Sequence, residues 1–376
     1  MKIDRPFKEG ADFEHFRKVI MRETREGPVT IIELFADAEI MSEVTGIDFP
    51  AEKAVELINM GTEPSPEQLE LGIRLIDLSL AFSQAVGYDY VTMWPLMPLT
   101  KPRLELSEDP KKVRDVRVRA WQNEHAGFIT SREEFEQFSW PSTAMIDLLP
   151  IELVAPKLPP GMKVLEFCQG IYEDLRVLMG FEALAIKSIE EPELVGDILE
   201  QLTILAIDYV NKAAAHPAVG AIFYSDDMGF KTGTILSPKF MREWLFPRQK
   251  RIAEACHKHG KPFLLHACGK MSAIMEDLIN VVGINGRHSF EDQVEPVEEV
   301  YRKYGDRISI LGGLDVDLLA RGTEEQVRAR VRQILTACAP GGGYCMGAGN
   351  SLTNYCKIEN YYAMLDETRK WNGEHN

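Results

Sequence analysis

The sequence predicts an α/β fold, a closed (β/α)8 barrel with N-terminal helices and a lid-like insertion. Apolar strand-like runs alternate with helix-like segments through the whole C-terminal half, with short connections between them. Such alternation is typical of a parallel sheet with helices outside it. Eight strand candidates occur in all, and no glycine-rich dinucleotide loop follows the first one. A closed barrel is therefore favoured over an open doubly wound sheet.

The strand candidates are short apolar runs that end in polar or turn-forming residues. In chain order they are PVTIIELF (28–35), YDYVTMW (88–94), MKVLEFC (162–168), VGAIFYSDD (219–227), KPFLLHACG (261–269), INGRHSF (284–290), RISILGGLD (307–315) and GYCMGAG (343–349). The clearest helix, 237–260, opens at Ser237-Pro238 and closes at Gly260. The segment at about 96–160, rich in Pro and Trp, is predicted to be an insertion over the barrel mouth, so that 1–376 form a single domain.

Composition favours a cytoplasmic enzyme. The chain has 376 residues and no apolar run close to the ~20 residues that span a bilayer. Its first residues are too polar for a signal peptide. Six cysteines are spread too thinly for a disulfide framework. The net charge of −16 disfavours nucleic acid and anionic membranes as partners, and it would also repel a highly anionic substrate. The expected partner is a small-molecule substrate.

Polar residues stand at the carboxyl ends of the predicted strands, where barrel enzymes place their chemistry. For any one of them a role as a cap or turn former is the commoner outcome, but eight strands ending this way indicate an active site. We expect Asp226, Asp227, His288 and Asn350 to be catalytic. A cofactor is expected to contact Glu33, Trp94, Tyr224 and Phe230. Asp315 also stands at the end of a predicted strand.

The pair His266-x-Cys268 has three interpretations. Residues i and i+2 of a strand share a face, and thiolate and imidazole are ligands that zinc prefers. A cysteine nucleophile is less favoured, because its base normally comes from another segment. The plainest alternative is a buried histidine beside a small apolar cysteine. A zinc site needs about three ligands, and the candidates for the third are Cys345, Asp226, Asp227, Glu166 and Cys168.

Adjacent positions on a strand point to opposite faces, so only one residue of Asp226-Asp227 can enter the barrel. We expect Asp226 to face the mouth in a partly desolvated pocket. The alternative is that Asp226 only caps the loop to the helix near Ser237, which leaves Asp227 as the functional member. The same parity argument leaves open whether Cys345 faces the mouth or the core.

Four longer motifs stand out in the second half of the chain: DDMGFKTGTILSPKFMREWLFPRQKRIAEACHKHGKPFLLHACG, GRHSFED, ILGGLDVDLLARGTEEQV and GGGYCMGAGNS followed by IENYYAML. As a set they resemble the uroporphyrinogen decarboxylase superfamily, in its methyltransferase-like and uncharacterised branches. The resemblance covers about residues 219–368 and implies the barrel fold. True decarboxylases carry an arginine-rich element after the first strand, where this chain has Glu33, Asp37 and Glu39. Decarboxylation of uroporphyrinogen is therefore not expected, because acidic residues repel a polycarboxylate.

The branch with a His-x-Cys motif consists of zinc methyltransferases that move a methyl group between a corrinoid protein and an acceptor such as a thiol. By this resemblance His266 and Cys268 would bind zinc, and cobalamin would arrive on a partner protein. The distant third cysteine of that branch falls where Asn350 stands here. Cys345 is a poor substitute by position. Asn350 is a weak metal ligand but can orient a substrate or cofactor.

Two other functions remain open from the sequence. One is a cofactor-free decarboxylase or other lyase of the same superfamily, acting on another substrate, in which Asp226 stabilises positive charge. The other is a non-catalytic module that binds a corrinoid partner, which the number of titratable strand-end residues argues against. A homodimer is a candidate assembly, although the sequence does not fix the oligomeric state.

Overall fold

Eight parallel strands form one curled sheet in this computed structural model, which describes residues 7–53, Leu57, 65–95, Leu99, 105–107, 119–121 and 127–375. The strands of the sheet are β1 Thr30–Ile31, β2 Tyr90–Met93, β5 Lys163–Gln169, β6 Val219–Ser225, β7 Phe263–His266, β8 Gly286–His288, β9 Ser309–Leu311 and β10 Tyr344–Met346. A separate antiparallel pair, β3 Glu105–Ser107 and β4 Arg119–Trp121, belongs to the segment between β2 and β5. All eight predicted strands are present.

The strand order is that of a barrel, β1-β10-β9-β8-β7-β6-β5-β2, with every pairing parallel. Tyr90 of β2 bridges the two end strands, because its hydroxyl accepts from the N–H of Glu33 at 2.6 Å and lies 3.1 Å from the carbonyl of the same residue. This side chain spans the gap between β1 and β2 where a backbone ladder would otherwise run. The fold is the predicted (β/α)8 barrel.

Helices follow the strands and cover the outside of the sheet. They are Phe13–Ile20, Ala38–Thr45, Pro66–Val86, Arg132–Gln137, Leu149–Val154, Ile171–Met179, Phe181–Glu190, Pro192–Ala215, Pro238–Phe240, Phe246–His257, Met275–Asp277, Val297–Tyr304, Val316–Arg321, Glu324–Cys338 and Ile358–His375. Single 3₁₀ turns occur at Ala51–Lys53, Thr143–Met145 and Ala155–Lys157, and π-helical turns at Met241–Leu245 and Leu278–Val282.

The helix predicted at 237–260 begins as expected, with the hydroxyl of Ser237 accepting the N–H of Phe240 at 3.2 Å. A π-helical turn interrupts it, and the N–H of Phe246 bonds to the carbonyl of Met241. The next residue, Pro247, has no N–H to continue an ordinary α-helical ladder. The wider turn accommodates the proline without ending the helix.

The amino end of the barrel is closed by the first helix. A side chain on Gly220, at the start of β6, would meet the ring of Phe13 at 2.2 Å, so the helix sits directly against the strand. Phe13 and Phe16 are both buried in the common core. The carboxyl ends of the strands are therefore the end at which side chains can reach a ligand.

The segment predicted as an insertion, about 96–160, lies only partly within the described residues. Its described portion from 127 onward runs along the helix layer: the N–H of Phe128 bonds to the carbonyl of Leu178, and Arg132 pairs with Asp197 at 2.6 Å. Its placement over the barrel mouth, and the division of the chain into one domain, stay predictions. Among the helices of the described residues, none has the length and apolar character needed to cross a membrane.

Candidate functional site

Two histidines meet on the inner face of the barrel. His266 ends β7 and His288 ends β8, and the register of the two strands places them side by side. Their Nδ1 atoms are 2.7 Å apart, and Nε2 of His288 lies 3.1 Å from the carbonyl oxygen of Ala348, in the loop after β10. Both side chains are almost fully buried, and this burial lowers the pKa of each imidazole. Burial therefore favours the neutral form of both rings.

Cys268 and Asp227 complete a three-residue cluster with His266. The N–H of Cys268 donates to Oδ1 of Asp227 at 2.8 Å, which joins the loops after β6 and β7. Nε2 of His266 lies 3.4 Å from Sγ of Cys268 and 3.6 Å from Oδ1 of Asp227. One oxygen, one nitrogen and one sulfur thus lie within 4.8 Å of one another. The structure therefore brings together the His-x-Cys pair and one of the five candidate third ligands.

The spacing of these donor atoms suits a tetrahedral metal ion. Zinc bonds of about 2.0–2.3 Å place the ligands of a tetrahedral ion about 3.3–3.8 Å apart. The two distances from Nε2 of His266, 3.4 and 3.6 Å, fall in this range. Burial raises the pKa of the Cys268 thiol, so a nearby cation is needed to hold the sulfur as thiolate at neutral pH. The three residues fit a zinc ion with one open position.

Two further groups donate hydrogen bonds to the sulfur. Nδ2 of Asn350 lies 3.2 Å and Oγ of Ser289 3.4 Å from Sγ of Cys268. Ser289 has a φ of +90°, a strained conformation for a residue with a side chain. The neighbouring Phe290 is fixed by a bond from its N–H to the carbonyl of Gly349. The residue at the position of the family's distant cysteine therefore contacts the sulfur through an amide.

Asp226 lies outside this cluster, although it is adjacent to Asp227. Its carboxylate is fully buried on the outer side of the sheet and accepts from the N–H of Glu173 at 2.9 Å, the Tyr224 hydroxyl at 3.0 Å and Nε2 of Gln249 at 2.8 Å. Burial raises the pKa of Asp226 to about 7. The structure thus corrects the expected orientation. Asp226 bonds to the start of the helix Ile171–Met179 and to Gln249 of the helix Phe246–His257, and Asp227 faces the site.

Strand parity turns other candidates away from the mouth as well. The Tyr224 hydroxyl bonds to Asp226 and to the N–H of Ile171, so it lies between sheet and helix rather than against a ligand. Glu166 bonds to Tyr209 of the helix Pro192–Ala215. Cys168, two residues further along β5, shares that outer face. None of these side chains joins the cluster.

Cys345 is fully buried in β10, and its sulfur contacts the hydroxyl of Thr30 at 3.1 Å. It is therefore placed in the packing between β10 and β1 and not beside His266 and Cys268. Asp315 caps the helix Val316–Arg321 by accepting from the N–H of Asp317 at 2.8 Å. For these two residues the structure favours the structural role that the sequence had left open.

Glu33 is buried at the end of β1, where Oε1 accepts the N–H of Ala348 at 2.9 Å. Burial raises the pKa of Glu33 to about 8, so this carboxyl is mostly protonated at pH 7. Its charge cannot then repel a polycarboxylate, which corrects part of the sequence argument. Asp37 and Glu39 bond to the backbone and side chain of Asn354 at 2.8 and 3.1 Å.

The two exposed aromatic candidates stand at the strand ends. Trp94 is 43% exposed and packs on Phe167 and Phe35, with ring centres 4.1 and 5.0 Å away. Phe230 is 55% exposed in the loop after β6, near Phe181. Apolar surface of this kind is available to a ligand or partner.

Sequence reasoning missed Ser289, Gln249 and Arg287. Ser289 directly follows His288 at a strand end, which was a usable signal. Arg287 is fully buried, pairs with Glu295 at 2.9 Å and approaches the carbonyl of Gly269 at 3.3 Å, so it supports the loop that carries Cys268. Nothing in the pattern of its strand marked it as buried.

The sequence is similar to curated proteins of two kinds. The chain is 27% identical over 193 residues to the uroporphyrinogen decarboxylase of Anaeromyxobacter dehalogenans, covering 50% of this chain and 51% of that protein. It is 24% identical over 216 residues to the methylcobamide:CoM methyltransferase MtaA of Methanosarcina barkeri, covering 57% and 60%. The chain therefore spans about half to three fifths of the length of these curated relatives.

Solved structures show the same fold. A methyltransferase from Methanosarcina mazei superposes with a TM-score of 0.66 at 16% identity, covering 96% of this chain and 99% of that one. A B12-independent methionine synthase from Shewanella sp. W3-18-1 has a TM-score of 0.50 at 12% identity, covering 83% and 93%. The family model for uroporphyrinogen decarboxylase (URO-D) matches residues 129–371. The resemblance deduced from the motifs is thereby confirmed, and the chain belongs to the uroporphyrinogen decarboxylase family.

Proposed function

We propose that this protein is a zinc-dependent methyltransferase that passes a methyl group from a corrinoid, carried by a partner protein, to an acceptor thiol. The observation that carries the proposal is the cluster of Asp227, His266 and Cys268. Its donor atoms lie within 4.8 Å of one another, and the two distances from Nε2 of His266 match those of a tetrahedral site. Three protein ligands with a fourth position open are the usual arrangement of catalytic zinc.

Each residue of the cluster has a distinct part. His266 and Cys268 would supply the nitrogen and sulfur ligands, and Asp227 would supply an oxygen. Bound zinc would lower the pKa of a thiol that enters the open position, so that the thiol reacts as thiolate at neutral pH. Asp227 is the one member with substantial exposure, its side chain being 39% accessible, and so lies on the side from which an acceptor would enter.

Asn350 and Ser289 would lower the nucleophilicity of the sulfur ligand. Both donate hydrogen bonds to Sγ of Cys268. Hydrogen bonds to a thiolate stabilise its charge and lower its nucleophilicity. Cys268 would thereby remain a ligand while the incoming thiol accepts the methyl group. This division of roles fits the replacement of the family's distant cysteine by an amide.

The methyl donor is proposed from the relatives. One of them is a methylcobamide:CoM methyltransferase, so a methylated corrinoid is the methyl donor of that relative. Trp94 and Phe230 offer exposed aromatic surface at the mouth, where a corrinoid-bearing partner would approach. The lyase alternative depended on Asp226 facing a substrate. Asp226 instead accepts hydrogen bonds from the helix layer, so methyl transfer is preferred.

Metal analysis combined with a transfer assay tests the proposal. Protein purified without chelator should contain about one zinc per chain and should methylate a thiol from methylcobalamin. His266→Ala, Cys268→Ser and Asp227→Ala should lose the metal and the activity. Cys345→Ser is the matched control, because the sulfur of that cysteine accepts a hydrogen bond from Thr30 and lies outside the cluster. Metal-free protein that is folded and transfers methyl groups at the wild-type rate would overturn the zinc site.

A further inference from the structure

The ring of His288 makes two hydrogen bonds to other residues of the described chain. Its Nδ1 faces Nδ1 of His266 at 2.7 Å, and its Nε2 faces the carbonyl oxygen of Ala348 at 3.1 Å. The side chain is fully buried, and Phe223 packs edge-on against its ring at 5.7 Å. Both ring nitrogens are therefore committed to partners within the protein.

The position of each proton follows from these two contacts. A carbonyl oxygen can only accept, so Nε2 of His288 must carry the ring proton. A neutral imidazole has one N–H, and Nδ1 of His288 is therefore an acceptor. The 2.7 Å contact then requires the proton on Nδ1 of His266. This leaves Nε2 of His266 without a proton, facing Cys268 and Asp227.

The opposite arrangement is unfavourable at both ends of the chain of contacts. Without its proton, Nε2 of His288 would face the carbonyl oxygen of Ala348 lone pair to lone pair at 3.1 Å. The proton of His266 would then sit on Nε2, between the thiol and the carboxylate, where it would block metal binding. Ala348 itself is held in place, because its N–H donates to Oε1 of Glu33 at 2.9 Å.

We propose that His288 is a positioning residue that fixes His266 in the Nδ1–H tautomer and so presents an unprotonated Nε2 to the metal. The role of the metal rests on the proposed function above, whereas the tautomer is a property of the fold. His288 acts through His266 and touches neither metal nor substrate. Groups that orient a metal-binding histidine typically contribute about 10- to 100-fold to metal affinity.

Nitrogen NMR of protein labelled with ¹⁵N in histidine reads the tautomer directly. The samples are wild type, His288→Phe and His288→Gln, each measured before and after zinc is added, because bound zinc would itself place the proton of His266 on Nδ1. Phenylalanine keeps the ring but has no acceptor for the His266 N–H. Glutamine offers an amide oxygen to His266 and an N–H to Ala348, and is the conservative rescue. His257→Phe is the matched control, because the ring of that histidine bonds to Asn285, away from the cluster.

Before zinc is added, we expect Nδ1–H in His266 of the wild type and of His288→Gln. Zinc affinity, measured by competition with a chromophoric chelator, should fall about 10- to 100-fold in His288→Phe. It should stay within a few-fold of wild type in His288→Gln and in the control. If His266 carries its proton on Nε2 in the wild type, or if His288→Phe folds and binds zinc as tightly as the wild type, the inference is overturned.

These readouts separate the inference from the proposed function. A wild type that binds no zinc but shows Nδ1–H in His266 would refute the zinc methyltransferase and support the tautomer assignment. Full zinc affinity in both the wild type and His288→Phe would support the metal site and refute the positioning role. Should His288→Phe fail to fold, the tautomer in wild type and in His288→Gln still decides the matter.

Discussion

The carboxylates of Asp226 and Asp227 lie on opposite sides of the barrel wall. Asp226 accepts the N–H of Glu173 at 2.9 Å, at the start of a helix outside the sheet. Asp227 accepts the N–H of Cys268 at 2.8 Å, at the barrel mouth. The two carboxylates therefore have different surroundings, and the same substitution at each position tests them separately.

Asparagine at each position should separate stability from metal binding. In Asp227→Asn the remaining amide oxygen can still accept from Cys268, so the melting temperature should stay near wild type. Zinc affinity and methyl transfer should fall by roughly a hundredfold or more, since an anionic ligand is lost. In Asp226→Asn the new NH₂ group would face N–H and O–H donors, and the free energy of unfolding should fall by about 1–3 kcal/mol.

Zinc content, transfer rate and urea denaturation of the two variants provide the measurement. Asp226→Asn should retain zinc and most of its activity once it is folded. The assignment of the two faces would be wrong if Asp226→Asn lost activity at unchanged stability while Asp227→Asn behaved as wild type.

The sequence predicted the barrel because alternation of strands and helices is a pattern of the whole chain and does not depend on any one residue. Which face a residue occupies at a strand end is a different matter. β6 ends at Ser225, just before the two aspartates, so parity alone could not fix their directions. Tyr224 was expected at a ligand, but its hydroxyl lies on the outer side with Asp226.

The pairing of His266 with His288 depends on the register between β7 and β8, which the sequence does not encode in any simple pattern. The position of Ser289 depends on a positive φ that few non-glycine residues adopt. By contrast, His266 and Cys268 could be identified because a two-residue spacing on one strand is visible in the sequence. The spacing of residues within one strand could be read from the sequence, whereas contacts between different strands could not.

Asn350→Cys should strengthen the metal site. The amide of Asn350 lies 3.2 Å from Sγ of Cys268, so a cysteine there would place a second thiol at the edge of the cluster. Thiolate is a strong zinc ligand, and we expect an increase in zinc affinity of about tenfold or more. The cobalt-substituted protein should gain intensity in its sulfur-to-metal absorption. Asn350→Ser is the control, and equal affinity in both variants would show that position 350 lies too far from the metal.

Stability should fall as pH rises because of Glu33. Burial raises its pKa to about 8 in the folded protein, against about 4.5 when unfolded. Between these values the folded state holds a proton that the unfolded state has lost, so unfolding releases it and rising pH favours unfolding. The stabilising effect of protonation is fully present below about pH 4.5 and is lost through pH 8.

Glu33→Gln mimics the protonated carboxyl and keeps an oxygen for the N–H of Ala348. Its free energy of unfolding should therefore depend less steeply on pH than that of the wild type, with a difference of a few kcal/mol between about pH 5 and 8. Urea denaturation at several pH values measures both slopes. Parallel curves for the two proteins would show that Glu33 does not hold the proton.

Uroporphyrinogen should not be decarboxylated at an ordinary enzymatic rate. Asp37 and Glu39 occupy the segment after β1, where both bond to Asn354, and they would repel a substrate with many carboxylates. Glu33 does not add to this repulsion because it is mostly protonated. Incubation with uroporphyrinogen should yield no coproporphyrinogen at a kcat of roughly 1 per second or above. Product formation at that rate would show that the protein is a uroporphyrinogen decarboxylase.

Trp94→Ala and Phe230→Ala should weaken binding of the methyl donor with little effect on the chemical step. Both rings are about half exposed, at 43% and 55%, and each stands at a strand end. Covering about 60 Å² of such a ring at about 25 cal/mol per Å² contributes about 1.5 kcal/mol, or roughly tenfold in affinity. We therefore expect KM for methylcobalamin to rise by about tenfold with kcat nearly unchanged, the signature of lost uniform binding.

Ile189→Ala is the control, since this side chain is 83% exposed on the helix Phe181–Glu190. If both aromatic variants keep the wild-type KM, the donor does not contact this side of the mouth, and its binding surface must be sought elsewhere.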